Sequence, residues 1–187
     1  MEGLTKKDLW NDASKGGLAL GAVSIAYMFV SQLLTPDVIS KIGALPTTLI
    51  TIVLWVAKFV GCIYLMKWFL VKFSRSYSDI TRHDVFKEGA AIAFLSALIY
   101  SAFYYAYASF INPQAFTEAI DTAMESYSSF MDSNTTAMME EMKGKLPMIS
   151  FISNLIYCSI YGSVLASILS KSIVSDDPFK NNSEPEA

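Results

Sequence analysis

The fold is decided by residues 46–71, which read PTTLITIVLWVAKFVGCIYLMKWFLV and carry only two charged side chains, Lys58 and Lys67. A helix rises about 1.5 Å per residue, so about 20 residues cross the ~30 Å hydrocarbon core of a bilayer. Backbone groups have no water to bond at that depth, and a span of this length must therefore be helical. The stretch is predicted to be a transmembrane helix.

Three further apolar runs of similar length contain no Asp or Glu: residues 16–34, 89–111 and 146–170. Hydrophobic residues make up 53% of the chain and charged residues 17%, against about 25% charged in soluble proteins. No stretch is left that could form a separate soluble domain. We therefore predict an all-α, four-span transmembrane bundle over residues 16–170, with a cytoplasmic segment at 1–15 and a disordered tail at 171–187.

Basic residues are distributed unevenly between the two sides of this predicted bundle. The side that carries both termini has nine, namely Lys6, Lys7, Lys15, Lys72, Arg75, Arg82, Lys87, Lys171 and Lys180. The opposite side has three, namely Lys41, Lys143 and Lys145. Cytoplasmic loops are enriched in Lys and Arg, so both termini are expected in the cytoplasm.

Two short motifs predict where helices begin. Thr81-Arg82-His83-Asp84 has the spacing of a capping box, with Asp in place of the usual Glu, and predicts the start of the helix that becomes the third span. Thr35-Pro36 pairs an N-cap residue with proline at the first helical position and predicts a short outer helix through Ile42.

The longest segment between spans is predicted to form an amphipathic helix on the outer surface, over residues 113–143. Its apolar face consists of Phe116, Ile120, Ala123, Met124, Tyr127, Phe130 and Met131, and its acidic face of Glu118, Asp121, Glu125 and Asp132. Asn112-Pro113 marks its start. A break is predicted at Asp132-Ser133-Asn134.

The order of these features resembles a known family. The segment DVFKEG (84–89) leads into the third span, which ends in FINP (110–113). An acidic, Met-rich helix then precedes a Ser- and Gly-rich last span ending in Lys171, and glycines 16, 17 and 21 cluster in the first span. Nearly the whole chain resembles the four-helix inner-membrane family of Bacteroidota known as domain of unknown function 4199. The resemblance implies four helices in the bacterial inner membrane. It brings no established activity, and it suggests polyprenyl-linked glycosyltransferases as partners to examine.

Lys58 is the residue whose insertion into the membrane costs the most free energy. It lies near the middle of a span, and no Asp or Glu lies in any of the four runs. At matching depth, the other spans offer Tyr100 and Asn154. One interpretation places these three residues in an intramembrane polar site for an anionic head group or a proton. The other has Lys58 extending toward the interface or facing another subunit. The sequence leaves both open.

Small residues recur at four-residue spacing in the first and last spans. The rows are Gly17 and Gly21 in the first span, and Ser159, Ser163 and Ser167 beside Gly162 and Ala166 in the last. Such rows let helix backbones approach closely in lipid. They are expected to pack the bundle, and one row is a candidate for contact with a second copy or another subunit.

No catalytic or ligand-binding motif stands out. The chain has one His and two Cys, Cys62 and Cys158, which are expected to be free thiols. Its Met-rich outer loop lacks Cys and His, so neither metal nor cofactor is predicted.

From these observations, the preferred prediction is a non-enzymatic accessory or scaffold subunit of a membrane complex. Its partners would be the lipid bilayer and another membrane protein or a second copy of the chain, with no nucleic acid. The alternative is a small transporter, channel or lipid-binding protein centred on Lys58.

Overall fold

The computed structural model describes residues 5–32, 43–77, 80–127 and 132–174. Within these ranges every regular element is helical, and four helices are long and apolar enough to cross a membrane. The prediction of an all-α chain with four apolar helices is confirmed. The predicted outer helix at residues 35–42 and the tail beyond residue 174 lie outside the described residues.

The helices follow one another along the chain with short connections. They are α1 (Lys6–Gln32), α2 (Ala44–Ser76), α3 (Arg82–Ala106) continued by a π-helical turn (Tyr107–Ile111), α4 (Pro113–Tyr127), α5 (Ser133–Met142), a 3₁₀ turn (Lys143–Lys145) and α6 (Leu146–Ile173). The four apolar helices are α1, α2, α3 and α6. Each extends beyond its predicted span at one end or both.

Helix α1 begins ten residues before the predicted first span, so residues 6–15 are helical and continuous with that span. Thr5 and Asp8 cap it reciprocally: the Asp8 N–H donates to Thr5 Oγ1 at 3.3 Å, and the Thr5 N–H donates to Asp8 Oδ2 at 3.3 Å. No proline interrupts the helix after this cap. The helix therefore runs straight into the bundle.

The predicted capping box at the start of α3 is confirmed. Thr81 Oγ1 accepts from the Asp84 N–H at 3.2 Å, and Asp84 Oδ2 accepts from the Thr81 N–H at 3.3 Å. These two bonds satisfy backbone donors that would otherwise have no partner. They define where α3 begins, and so which of its residues enter the bundle.

Helix α3 is the centre of the bundle, with α1 on one side and α6 on the other. Gly17 faces Leu95 and Gly21 faces Ile99, so α1 and α3 run parallel. Against α6 the pairing is antiparallel. A Cβ on Gly89 would lie 2.6 Å from the Cβ of Ala166, and one on Gly162 would lie 2.5 Å from the Cβ of Ala93.

The tightest packing lies near the end of the bundle where α1 and α3 begin. Its buried side chains come from all four apolar helices, and they include Ala13, Leu70, Val85, Ile92 and Ala166. Helix α2 contributes Met66, Leu70 and Phe73 to the core but leaves most of its surface exposed. In a bilayer, that surface faces lipid or a partner.

The segment beyond α3 forms two helices, where the prediction had one amphipathic helix with a break. Helix α5 begins directly after Asp132, whose Oδ1 accepts from the Thr135 N–H at 2.7 Å. Helix α4 is attached to the bundle by a ring contact between Phe116 and Tyr104. An ion pair of 2.6 Å links its Asp121 to Lys143.

Candidate functional site

A cleft of about 370 Å³ opens between α2 and α6, with α1 and α3 as its floor. Its lining is mostly apolar and aromatic, and the single charged side chain among its lining residues is Lys58. Concave, largely apolar sites with few polar groups are the usual form of small-molecule sites. The cleft is therefore the first place to look for a ligand.

The Lys58 ammonium lies inside the bundle over two tyrosine rings. Its Nζ is 4.7 Å from the centroid of the Tyr27 ring and 5.4 Å from that of Tyr100. Aromatic faces attract cations at these distances, although a ring carries no net negative charge. The side chain thus faces the cleft, and neither ring supplies a counter-charge to its ammonium.

A chain of aromatic rings joins α2 to α6 beside the cleft. Trp55 stacks on Phe59 with centroids 5.5 Å apart, and Phe59 meets Tyr161 at 5.8 Å. Tyr161 in turn stacks on Tyr157 at 6.3 Å. Trp55 and Tyr157 are 56% and 69% exposed. These rings lie where the cleft meets the surface that a bilayer would cover.

Of the three residues predicted to form a polar site, two come together. Tyr100 contacts the Lys58 ammonium, but Asn154 is not among the residues that line the cleft. The antiparallel register of α3 and α6 pairs Gly89 with Ala166 and Ala93 with Gly162. Two further steps of four residues place Asn154 level with Ser101.

Tyr27 is a site residue that the sequence analysis missed. It lies within the apolar run of α1, five residues before the end of that helix. Depth alone did not single it out, because the rotation of α1 about its axis decides whether it faces α2. The available signal was that Tyr27 is the one tyrosine of residues 16–34.

The two cysteines both line the cleft and are free thiols. Cys62 lies one helical turn after Lys58 on α2, and Cys158 lies on α6. They add two small, polarisable side chains to the wall on either side of the opening.

The small residues predicted to pack helices occupy four kinds of position. Gly17, Gly21, Gly162 and Ala166 face α3 at close range. Ser159 is on the same helix as Gly162, and its Oγ is buried without a hydrogen-bond partner in the described part of the chain. Ser163 is half-buried, whereas Ser167 lines a second, more open cavity with Arg82 and His83 at the start of α3.

Glu88 is a second residue that the sequence analysis missed, because it directly precedes the predicted third span. Its side chain is only 1% exposed, and Oε2 has no hydrogen-bond partner within the described ranges. Asp12 and Lys15 of α1 are its charged neighbours. Nearby, partial burial and the negative charges of Asp12 and Asp8 raise the pKa of the Tyr77 phenol, which bonds to Asp12.

The described residues contain no group of three or more His, Cys, Asp or Glu side chains that could hold a metal ion. Fold and site together define a multi-pass helical membrane protein with an aromatic cleft between two of its candidate spans.

The chain belongs to the family described as "protein of unknown function (DUF4199)", whose sequence model matches residues 15–171. The family resemblance predicted from the sequence is thereby confirmed. No curated protein and no solved structure matches the chain significantly.

Proposed function

We propose that this protein binds an anionic amphiphile from the bilayer in the cleft between α2 and α6, with the anionic group on Lys58. The observation that carries the proposal is the position of the Lys58 ammonium, inside the cleft and over two aromatic rings. This develops the lipid-binding alternative predicted from the sequence.

Lys58 has no carboxylate counter-charge within the apolar stretches of the described helices. Residues 16–32, 44–76, 89–111 and 146–173 contain no Asp or Glu, so none of these helical stretches can supply a carboxylate. A charged Lys at the centre of a span costs about 2.5–3.5 kcal/mol on insertion scales. An anion bound in the cleft would offset that cost, because ion pairs strengthen where water is excluded.

The apolar walls of the cleft indicate what the rest of the ligand would be. Side chains such as Leu20, Met66 and Leu165 line the cleft beside Lys58, and its rim carries exposed aromatic rings. A free inorganic anion would find no second cation there. A molecule with one carboxylate or phosphate group on a hydrocarbon chain matches both the single charge and the apolar walls.

Trp55 provides a direct test, because it lines the cleft. The chain has three Trp residues, so replacing Trp10 and Trp68 by Phe leaves Trp55 as its only tryptophan, which is excited selectively over tyrosine at long wavelength. Dibromostearate, which quenches tryptophan fluorescence, is titrated into this variant in lipid nanodiscs. We expect saturable quenching, and about tenfold weaker binding after Lys58→Met, as for the loss of one ion pair of about 1.4 kcal/mol.

Two controls make the result specific. Lys67→Met removes an exposed lysine from the same helix and should leave the titration unchanged. The uncharged methyl ester of dibromostearate should quench equally before and after Lys58→Met. If acid and ester bind alike, or if Lys58→Met has no effect, the site is not anion-selective and the proposal fails. A dibrominated alkyl phosphate tests whether phosphate replaces carboxylate.

The location of the protein forms part of the same proposal. We place it in the bacterial inner membrane with both termini in the cytoplasm, supported by the nine basic residues on that side against three on the other. On this arrangement α4 and α5 lie at the outer surface. The strong separation of apolar and acidic residues in residues 113–127 supports an interfacial position for α4.

An accessory or scaffold role remains a second candidate, and one observation on α2 favours it. Ala57 is exposed, and a Cβ on Gly61 would have no neighbour within 4 Å, so two small residues four positions apart face outward. Such a pair permits close contact with another helix. Mass measurement of the protein extracted in mild detergent would reveal a bound partner, such as a polyprenyl-linked glycosyltransferase. The Gly61→Leu variant should then no longer bind that partner.

A further inference from the structure

The side chain of Glu88 occupies one of the most enclosed positions in the bundle. It lies in the second turn of α3, is 1% exposed, and is followed by Gly89, which contacts Ala166 of α6 and Leu70 of α2. One turn further along α3, Gly16 of α1 packs against Ile92. Water therefore has no access to the carboxyl group while α1 and α3 remain in contact.

The charged groups around Glu88 do not balance a carboxylate. Lys15 is nearby on α1, but its Nζ is bonded to Asp12 Oδ1 at 2.9 Å, and Asp12 is itself an acid facing Glu88. Tyr77, at the end of α2, also bonds to Asp12. At this level α6 contributes the uncharged residues Ala166, Leu169 and Ser170.

An enclosed carboxylate with a neighbouring acid and no hydrogen bond to one of its oxygens is strongly disfavoured relative to the neutral acid. Oε2 of Glu88 is such an oxygen within the described chain. A neutral carboxylic acid needs no counter-charge, which fits a site where Lys15, the one cation that acts on Glu88 among the described residues, is already paired.

We propose that Glu88 is a proton-binding site of the bundle. It holds a proton while α1 and α3 are packed together. When α1 moves away from α3, water reaches the carboxyl group, the O–H bond breaks, the proton passes to water, and the carboxylate is hydrated. The step involves no oxidant or reductant, and one proton is released for each carboxylate formed.

The proton site is connected to the cleft through the same helix pair, a point that rests on the proposed function. Helix α1 supplies Leu20 and Ser24 to the cleft and Tyr27 beneath Lys58, whereas α3 supplies Ala93 and Tyr100. A shift of α1 against α3 therefore alters both sites. Because linkage is reciprocal, ligand in the cleft would change the pH at which Glu88 releases its proton.

The proton is tested first, without any ligand. Infrared difference spectra of the protein in nanodiscs, recorded between neutral and alkaline pH, report the carbonyl band of a protonated carboxylic acid. We expect one such band at neutral pH, shifted when the protein carries ¹³C-labelled glutamate and lost in Glu88→Gln. Asp12→Asn frees Lys15 for Glu88, so the band should then disappear at a lower pH. A wild-type spectrum without a labelled glutamic acid band at neutral pH overturns the proposal.

The link to the cleft is tested second, with dibromostearate as the probe. In the variant that keeps Trp55 alone, the binding constant should change with pH, and Glu88→Gln should flatten that dependence. A glutamic acid band with pH-independent binding would remove the coupling and leave the proton site in place. Failure of dibromostearate to bind at all would refute the proposed function without touching the infrared result.

Discussion

At the scale of single residues, two ionisable side chains inside the bundle have contrasting surroundings. Lys58 lies over the rings of Tyr27 and Tyr100, which attract its charge without cancelling it. Glu88 is enclosed beside another acid, with one oxygen lacking a hydrogen bond in the described chain. The first therefore favours uptake of an anion, and the second favours uptake of a proton.

The contact between Lys58 and Tyr27 makes a prediction for a double-mutant cycle. Tyr27→Leu should destabilise the wild-type protein by more than it destabilises Lys58→Met, because only the former has an ammonium over the ring. The coupling energy should be about 0.5–2 kcal/mol. Unfolding in mixed detergent measures it. Tyr27→Phe keeps the aromatic face and serves as control; a coupling of zero would mean that the ammonium does not rest on this ring.

At the scale of helices, α3 and α6 are held together by a reciprocal pair of small residues. Gly89 meets Ala166, and Gly162 meets Ala93, so each helix places a glycine opposite an alanine of the other. Without water between the helices, such close packing is a main source of association in a bilayer. Replacing either glycine therefore acts on the packing of α3 against α6.

Gly162→Ala and Gly61→Ala are predicted to change stability in opposite directions. The new Cβ at residue 162 would lie 2.5 Å from that of Ala93, and relieving such overpacking costs about 1–3 kcal/mol. At residue 61 there is open space, and Ala is favoured over Gly in a helix by about 0.5–1 kcal/mol. The unfolding midpoints of the two variants in detergent, compared with that of the wild-type protein, show whether each change raises or lowers stability. Stabilisation by Gly162→Ala would contradict the observed closeness of α3 and α6.

Helix α5 has a start that should respond to pH. The hydroxyl and the backbone N–H of Thr135 bond to the Asp132 carboxylate and lower its pKa. Since the folded pKa is depressed, the cap is present above the unfolded value of about 3.9 and is lost as the pH falls through the folded value. The protection factors of the amides of residues 133–142, which correct for the pH dependence of intrinsic exchange, should therefore fall in acid. Asp132→Asn should weaken this dependence, and Glu118→Gln, on exposed α4, should not.

At the scale of the whole molecule, the number and approximate positions of the apolar helices could be predicted, because span length and hydrophobicity depend on the bilayer and on sequence alone. The capping box at Thr81 could also be predicted, because it depends only on residues three positions apart in the sequence. The rotation of each helix is a property of packing. Tyr27 and Asn154 illustrate this: Tyr27 faces the Lys58 ammonium, whereas Asn154, expected at a matching depth, does not line the cleft. Glu88 was missed because buried residues were expected only within the apolar run, and Glu88 directly precedes it.

The proposed orientation of the whole protein can be tested on two exposed serines at opposite ends of the bundle. Ser76 ends α2 on the side where α1 begins, and Ser126 lies on α4, on the other side. Cys62 and Cys158 are first replaced by Ala, and a single cysteine is then introduced as Ser76→Cys or Ser126→Cys. With both termini cytoplasmic, a membrane-impermeant maleimide should label only Ser126→Cys in cells with a permeabilised outer membrane, and both variants after lysis. If only Ser76→Cys were labelled in these cells, the protein would have the opposite orientation, with both termini outside the cytoplasm. The nine-to-three distribution of basic residues would then have to be explained by binding to a partner rather than by insertion.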